Sequence, residues 1–154
     1  MSILSNIKGK IRQVMNTDDT PMRLALSFGI GVFIAISPLW GLHTLLGIGL
    51  AFILNLNKLV TIAGVYVSNP WTFIPIYSFT TWFGIKIMGK DIQSVKIDWE
   101  HIDLTNFIDS ISIYLWPFVI GSTIIAIISG LISGGIVYYY FKHREKEKAL
   151  TAEM

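Results

Sequence analysis

The chain has no cysteine. Disulfides, thiol nucleophiles and zinc–thiolate sites are therefore excluded. Charge is scarce as well: 14% of the 154 residues are Asp, Glu, Lys or Arg, against about 25% in a soluble domain. From Leu24 to Leu54 there is no acid or amine, and the second apolar run, Leu59 to Met88, holds no carboxylate. Without carboxylates in these runs, an acid–base pair, a proton relay or a two-metal site has no basis. A Ser37/His43 or Ser68/His43 nucleophile pair has no third group to orient the histidine. No catalytic residue, cofactor or metal ligand is assigned, and the chain is not read as an enzyme. The three histidines, His43, His101 and His143, lie far apart. A net charge of +2 is too small for a nucleic-acid surface. Residues 1–20 lack the apolar core of a signal peptide.

What is present is apolar sequence: 53% of residues are hydrophobic, with a mean hydropathy of +0.59. This composition predicts a small, all-α integral membrane protein. Residues 1–19 form the first segment. Ile3, Leu4, Ile7, Ile11, Val14 and Met15 fall on one helical stripe with Lys8, Lys10 and Arg12 off it, as in a basic amphipathic helix lying at a membrane interface. A single membrane domain over 20–141 follows, then a charged tail over 142–154. Within the domain, 20–54 and 59–88 read as broken segments, 89–110 as an acidic interfacial connection, and 111–141 as one clean transmembrane helix.

Both breaks follow one logic. In Ser37-Pro38-Leu39-Trp40-Gly41-Leu42-His43-Thr44, proline removes a backbone donor and pushes Ser37 out of helical geometry. In Ser68-Asn69-Pro70-Trp71-Thr72-Phe73-Ile74-Pro75, a polar capping residue again precedes a proline. Pro38, Gly41, Pro70 and Pro75 are the expected structural breaks, giving re-entrant or discontinuous helices. The flanks match weakly too, Gly31-Val32-Phe33 against Gly64-Val65-Tyr66. Paired interruptions at corresponding places point to a transport site. A helix that starts inside a membrane exposes N–H groups and its positive dipole end, which suit an anion. The candidate ligand-binding residues are therefore Arg23, Ser37, His43, Thr44, Ser68, Asn69 and Thr72. The competing reading is structural: Ser37, Asn69 and Thr72 cap helix ends while the prolines turn the chain.

In the last run, Ser122, Ala126, Gly130 and Gly134 recur every four residues. Such a stripe lets helices approach closely, within the chain or in a homodimer. Trp116 and Tyr138-Tyr139-Tyr140 resemble aromatic belts bounding about 30 Å of hydrocarbon. Both ends of the chain are basic and 89–110 is acidic, which places both termini in the cytoplasm. An even number of crossings follows, with either broken segment as the re-entrant one; the simplest version makes the first a hairpin.

The ordered set Pro21-x-Arg23-Leu24-Ala25, Gly29-x-Gly31-x-Phe33, Ser37-Pro38-x-x-Gly41-x-His43-Thr44, Asn57, Asn69-Pro70-x-Thr72 and Gly84 resembles a bacterial membrane family, domain of unknown function 2062. The resemblance implies a bacterial inner-membrane protein whose relatives are sometimes fused to glycosyltransferase domains. It implies no activity. The leading expectation is a transporter or translocase binding an anionic lipid headgroup, such as a polyprenyl phosphate or phospholipid, or a small anion at the breaks. The alternatives are a non-catalytic scaffold for a partner such as a glycosyltransferase, and an ion channel. The expected partners are membrane lipid, a second copy and a glycosyltransferase, with no nucleic acid.

Overall fold

The computed structural model describes residues 19–39, 41–89 and 104–152. The expected interfacial helix over 1–19, except its last residue, and most of the 89–110 connection lie outside them. Among the described residues the fold is all-helical: α1 Pro21–Ile36, α2 His43–Ile53, α3 Lys58–Val65, α4 Pro70–Ile87 and α5 Leu104–Ala152.

Local chemistry sets most of these boundaries. Thr20 caps α1 by accepting from Arg23 N, and Pro21 takes the first helical position, where it loses no intrahelical bond. α1 stops at Ile36 because Ser37, ahead of Pro38, is extended (φ −60, ψ 156). Gly41 then turns the chain at φ +84, a conformation that costs glycine least. α3 is capped by Asn57, which accepts from Val60 N. α4 starts with a capping box: the Asn69 side chain accepts from Trp71 N and Thr72 N, and the Thr72 hydroxyl accepts from Asn69 N.

Pro75 does not break the chain. It lies inside α4, so the expected interruption ends at Pro70. At the sixth helical position it removes only the bond to the carbonyl of Trp71, the residue at the exposed start of the helix. α5 likewise runs through Pro117. It begins at Leu104, inside the stretch read as connection, and continues through the charged tail to Ala152. Its last turns are rich in Lys, Glu and Ala, strong helix formers.

α1 and α2 form a hairpin. The Arg23 guanidinium at the start of α1 donates to the Asn55 carbonyl just past α2, so the segment ends where it began. α3 then runs parallel to α1. Asn57 N donates to Ser27 Oγ at 2.8 Å, and farther along Gly31 meets Gly64. A Cβ on Gly31 would overlap the Thr61 carbonyl and lie 2.9 Å from the Gly64 Cα; one on Gly64 would lie 2.6 Å from the Phe28 carbonyl and 2.9 Å from the Gly31 Cα. The contact is reciprocal, residue for residue, at the positions where the two broken segments match in sequence. The match ends at the breaks: α2 turns back along α1, whereas α4 leaves α3 at a bend of 67°.

α5 is antiparallel to α1. Gly130 meets Gly29 and Phe33, while Gly134 meets Ala25. Val32 and Ile36 of α1 bury against Ala126, with Phe28, Phe33, Ile76 and Ile125 around them. Ser122, fully buried, donates to the Phe118 carbonyl at 2.5 Å. The Ser122/Ala126/Gly130/Gly134 stripe is therefore used within the chain. Of the two uses expected for that stripe, packing within the chain is the one seen, against α1. α4 crosses α5 at a second glycine junction, where a Cβ on Gly84 would overlap the Pro117 carbonyl and one on Gly121 the Thr80 carbonyl.

Among the described residues one helix, over Tyr114–Glu147, is long and apolar enough to cross a membrane by length and composition, and the bent pair α3–α4 passes the same test jointly.

Candidate functional site

The polar residues gather at opposite ends of the bundle. At the start of α1 and α3, Arg23 Nη1 pairs with Asp19 at 2.6 Å, Nε donates to the Asn55 carbonyl at 2.8 Å, and Nη2 donates to the Asn55 side chain at 3.2 Å. The other Asp19 oxygen accepts from Asn57 Nδ2 at 2.5 Å. Ser27 Oγ joins the same cluster by donating to the Arg23 carbonyl at 2.6 Å and accepting from Asn57 N. Three of the five guanidinium donors are thus fixed. Arg23 braces the α1–α2 hairpin to α3. It lies about 20 Å along α1 from the first break, so it does not converge with the other candidate ligand residues.

At the far end of α1 the two breaks do come together. The buried Tyr77 of α4 joins them. Its hydroxyl lies 3.3 Å from both the Ala35 and the Ser37 carbonyls, with the Ser68 side chain near it. Tyr77 also contacts Phe73 and Phe118, at ring-centroid distances of 4.6 and 5.3 Å. Sequence reasoning missed it because nothing local marks one tyrosine in an aromatic-rich helix as the bridge.

The donors around these breaks are mostly engaged. Ser37 Oγ donates to the Ile34 carbonyl at 2.8 Å. Asn69 caps α4, and the Thr72 hydroxyl accepts from Asn69 N at 2.9 Å and donates to the Val67 carbonyl at 2.8 Å. A cap of this kind contributes about 0.5–2 kcal/mol to the fold. His43 and Thr44 differ. They open α2, whose N-cap residue Leu42 offers no side-chain bond, and both are half-buried. Among the described residues neither side chain has a hydrogen-bond partner.

Surface cavities among the described residues include two away from the breaks and one that Tyr77 lines. One runs between α1 and α5, one along the C-terminal half of α5, and one along α4 between Phe73 and Ile85. Among the described residues no group of three His, Asp or Glu side chains could hold a metal ion.

Asp19 and Asn55 also escaped the sequence reading, although the Asp19–Arg23 spacing is that of an i,i+4 ion pair on a helix. The Asn55 contact bridges two segments and has no local signature. Among known families, the model described as "Uncharacterized protein conserved in bacteria (DUF2062)" matches residues 5–149. No curated protein and no solved structure matches the chain.

Proposed function

The chain belongs to the bacterial family DUF2062, whose description names no activity, and from its geometry we propose that it is a non-catalytic scaffold integral to the bacterial inner membrane. The observation that carries this reading is the division of its surfaces. At the breaks Ser37, Asn69 and Thr72 bond within the chain, while outward faces are apolar and bare. Ile53, Trp71, Ile74 and Leu131 are 78%, 91%, 69% and 72% exposed. In the most apolar window of the Tyr114–Glu147 helix only 28% is buried, whereas the core helix of a soluble protein is mostly covered. Exposed apolar surface on this scale has lipid as its natural solvent.

The charge distribution agrees. Arg23 and Lys58 start α1 and α3 at the end where α5 carries Lys142, Arg144 and Lys146. With this basic end in the cytoplasm, α1–α2 is a re-entrant hairpin entered and left on the cytoplasmic side, α3–α4 is a bent crossing, and both termini are cytoplasmic. The breaks lie at depth and are tolerated there because protein satisfies them, Tyr77 at the first and the Asn69–Thr72 capping box at the second.

A second reading keeps the anion site. The uncapped start of α2 offers free N–H groups beside His43 and Thr44, which suits the headgroup of an anionic lipid under transport. The two readings part at His43, whose side chain has no hydrogen-bond partner among the described residues. On the scaffold reading the His43→Ala protein keeps its melting temperature in detergent and retains as much anionic lipid as the parent. A loss of retained lipid at an unchanged melting temperature would contradict it and support the transport reading. Resistance of the protein to alkaline carbonate extraction from membranes tests membrane integration separately.

A further inference from the structure

The groove between α1 and α5 is built for a single chain of apolar atoms. Its volume is about 390 Å³. Gly29, Gly130 and Gly134 line it where the two backbones approach most closely, with Leu26 and Leu131, both at least half exposed, on its two sides. Along α5 it extends from Ile127 to Tyr138, about 17 Å of helix, close to the roughly 15 Å depth of one leaflet of a 30 Å hydrocarbon core. It ends at the basic end of the bundle. There Lys142 Nζ donates to the Tyr138 hydroxyl at 3.2 Å and lies 5.2 Å from the centroid of the same ring. The tyrosine holds the ammonium over the mouth of the groove, and among the described residues Lys142 has no carboxylate partner.

We propose that this groove is a phospholipid site: one acyl chain lies between α1 and α5, and the lipid phosphate sits on Lys142. The proposal rests on the membrane reading above and moves lipid recognition from the breaks to the basic end. A leaflet-deep apolar slot with a cation at its headgroup end matches the order of groups in one lipid molecule. A transmembrane helix of about 10 Å diameter is too wide to enter the slot and could seat only side chains along it.

Gly135 provides the test. It lines the groove, yet a Cβ built there meets nothing within 4 Å, so Gly135→Leu puts side chain into the slot's space without straining the fold. The full-length protein is exchanged into mixed micelles containing phosphatidylglycerol and examined by native mass spectrometry. The parent should carry bound lipid. Gly135→Leu and Lys142→Glu should lose that peak at unchanged melting temperature, Lys142→Arg should keep it, and excess inorganic phosphate should not displace it. Full retention in Gly135→Leu would overturn the proposal. So would equal retention of uncharged diacylglycerol, which would remove the phosphate from Lys142. A drop from dimer to monomer in Gly135→Leu, with no lipid peak in the parent, would make a second copy the occupant. Carbonate extraction reports on the membrane reading independently, so failure of the groove and failure of that reading give different results.

Discussion

Gly31→Ala and Gly64→Ala are each expected to destabilise the protein by more than the ~1–3 kcal/mol that an added methylene usually costs in a packed interior. The reason is what the new methyl meets. At Gly31 it overlaps the Thr61 carbonyl, and at Gly64 it lies 2.6 Å from the Phe28 carbonyl. Both are helix backbone and cannot swing aside as a side chain can, so α1 and α3 must separate along their whole contact. Separation also strains the Asn57–Ser27 bond, 2.8 Å long, and the Asn57–Asp19 bond, 2.5 Å long, at the start of the two helices. Denaturation in detergent, followed by far-ultraviolet circular dichroism, measures the loss. The double variant should lose less than the sum of the singles, because the first methyl already opens the shared crossing. Gly49→Ala is the control. A Cβ there meets nothing within 4 Å, and alanine in a helix is favoured over glycine by about 0.5–1 kcal/mol. Equal effects at Gly31 and Gly49 would mean that the crossing is not as close as described.

The second large effect is expected at the α4–α5 junction. Gly84→Ala and Gly121→Ala should detach α4 from α5, since each new methyl overlaps a carbonyl on the facing helix, that of Pro117 or Thr80. Pro117 and Thr80 are both fully buried, so no looser arrangement is at hand. The Tyr77–Phe118 ring contact, with centroids 5.3 Å apart, lies close by. Near-ultraviolet circular dichroism should therefore lose aromatic signal along with the fall in melting temperature. Far-ultraviolet helicity should persist, because α4 and α5 are each long enough to stay helical in a micelle. An unchanged aromatic spectrum in a stable Gly84→Ala protein would contradict the junction.

Glycine bears this much weight for a physical reason. Between helices in lipid there is no water to exclude, so association relies on close van der Waals approach and interhelical hydrogen bonds. That principle was legible in the sequence, as were the two interruptions. Ser37-Pro38 ends α1 and Asn69-Pro70 starts α4, with the caps the residue types require. The start of α2 was only partly legible. Pro38 could have opened a helix, but Gly41 at φ +84 delays it to His43. Pro75 shows the opposite error: it reads as a break, yet α4 runs through it, just as α5 runs through Pro117 within the run read as one helix. The partners of the small residues were not legible at all. A stripe on α5 fits a second copy as well as α1 until the fold is known; Arg23–Asn55 closes the α1–α2 hairpin and Tyr77 ties α4 to the end of α1, contacts that span more than thirty residues. The same distances explain the candidate ligand set. Residues capable of binding an anion were identified by type, but type does not reveal that Ser37, Asn69 and Thr72 already have partners.

The absence of cysteine makes the most direct test simple, because any single cysteine reports alone. Lys58→Cys and Lys142→Cys mark the basic end, and Leu39→Cys and Val67→Cys mark the breaks; all four positions are exposed. Each is treated with a membrane-impermeant thiol reagent in intact spheroplasts and in inverted inner-membrane vesicles. The account predicts that positions 58 and 142 react only in inverted vesicles, and that 39 and 67 react in neither preparation until detergent is added. Reaction of 58 and 142 from opposite sides, or free reaction of 39 and 67 in native membranes, would contradict a bundle whose basic end faces the cytoplasm and whose breaks lie within the membrane.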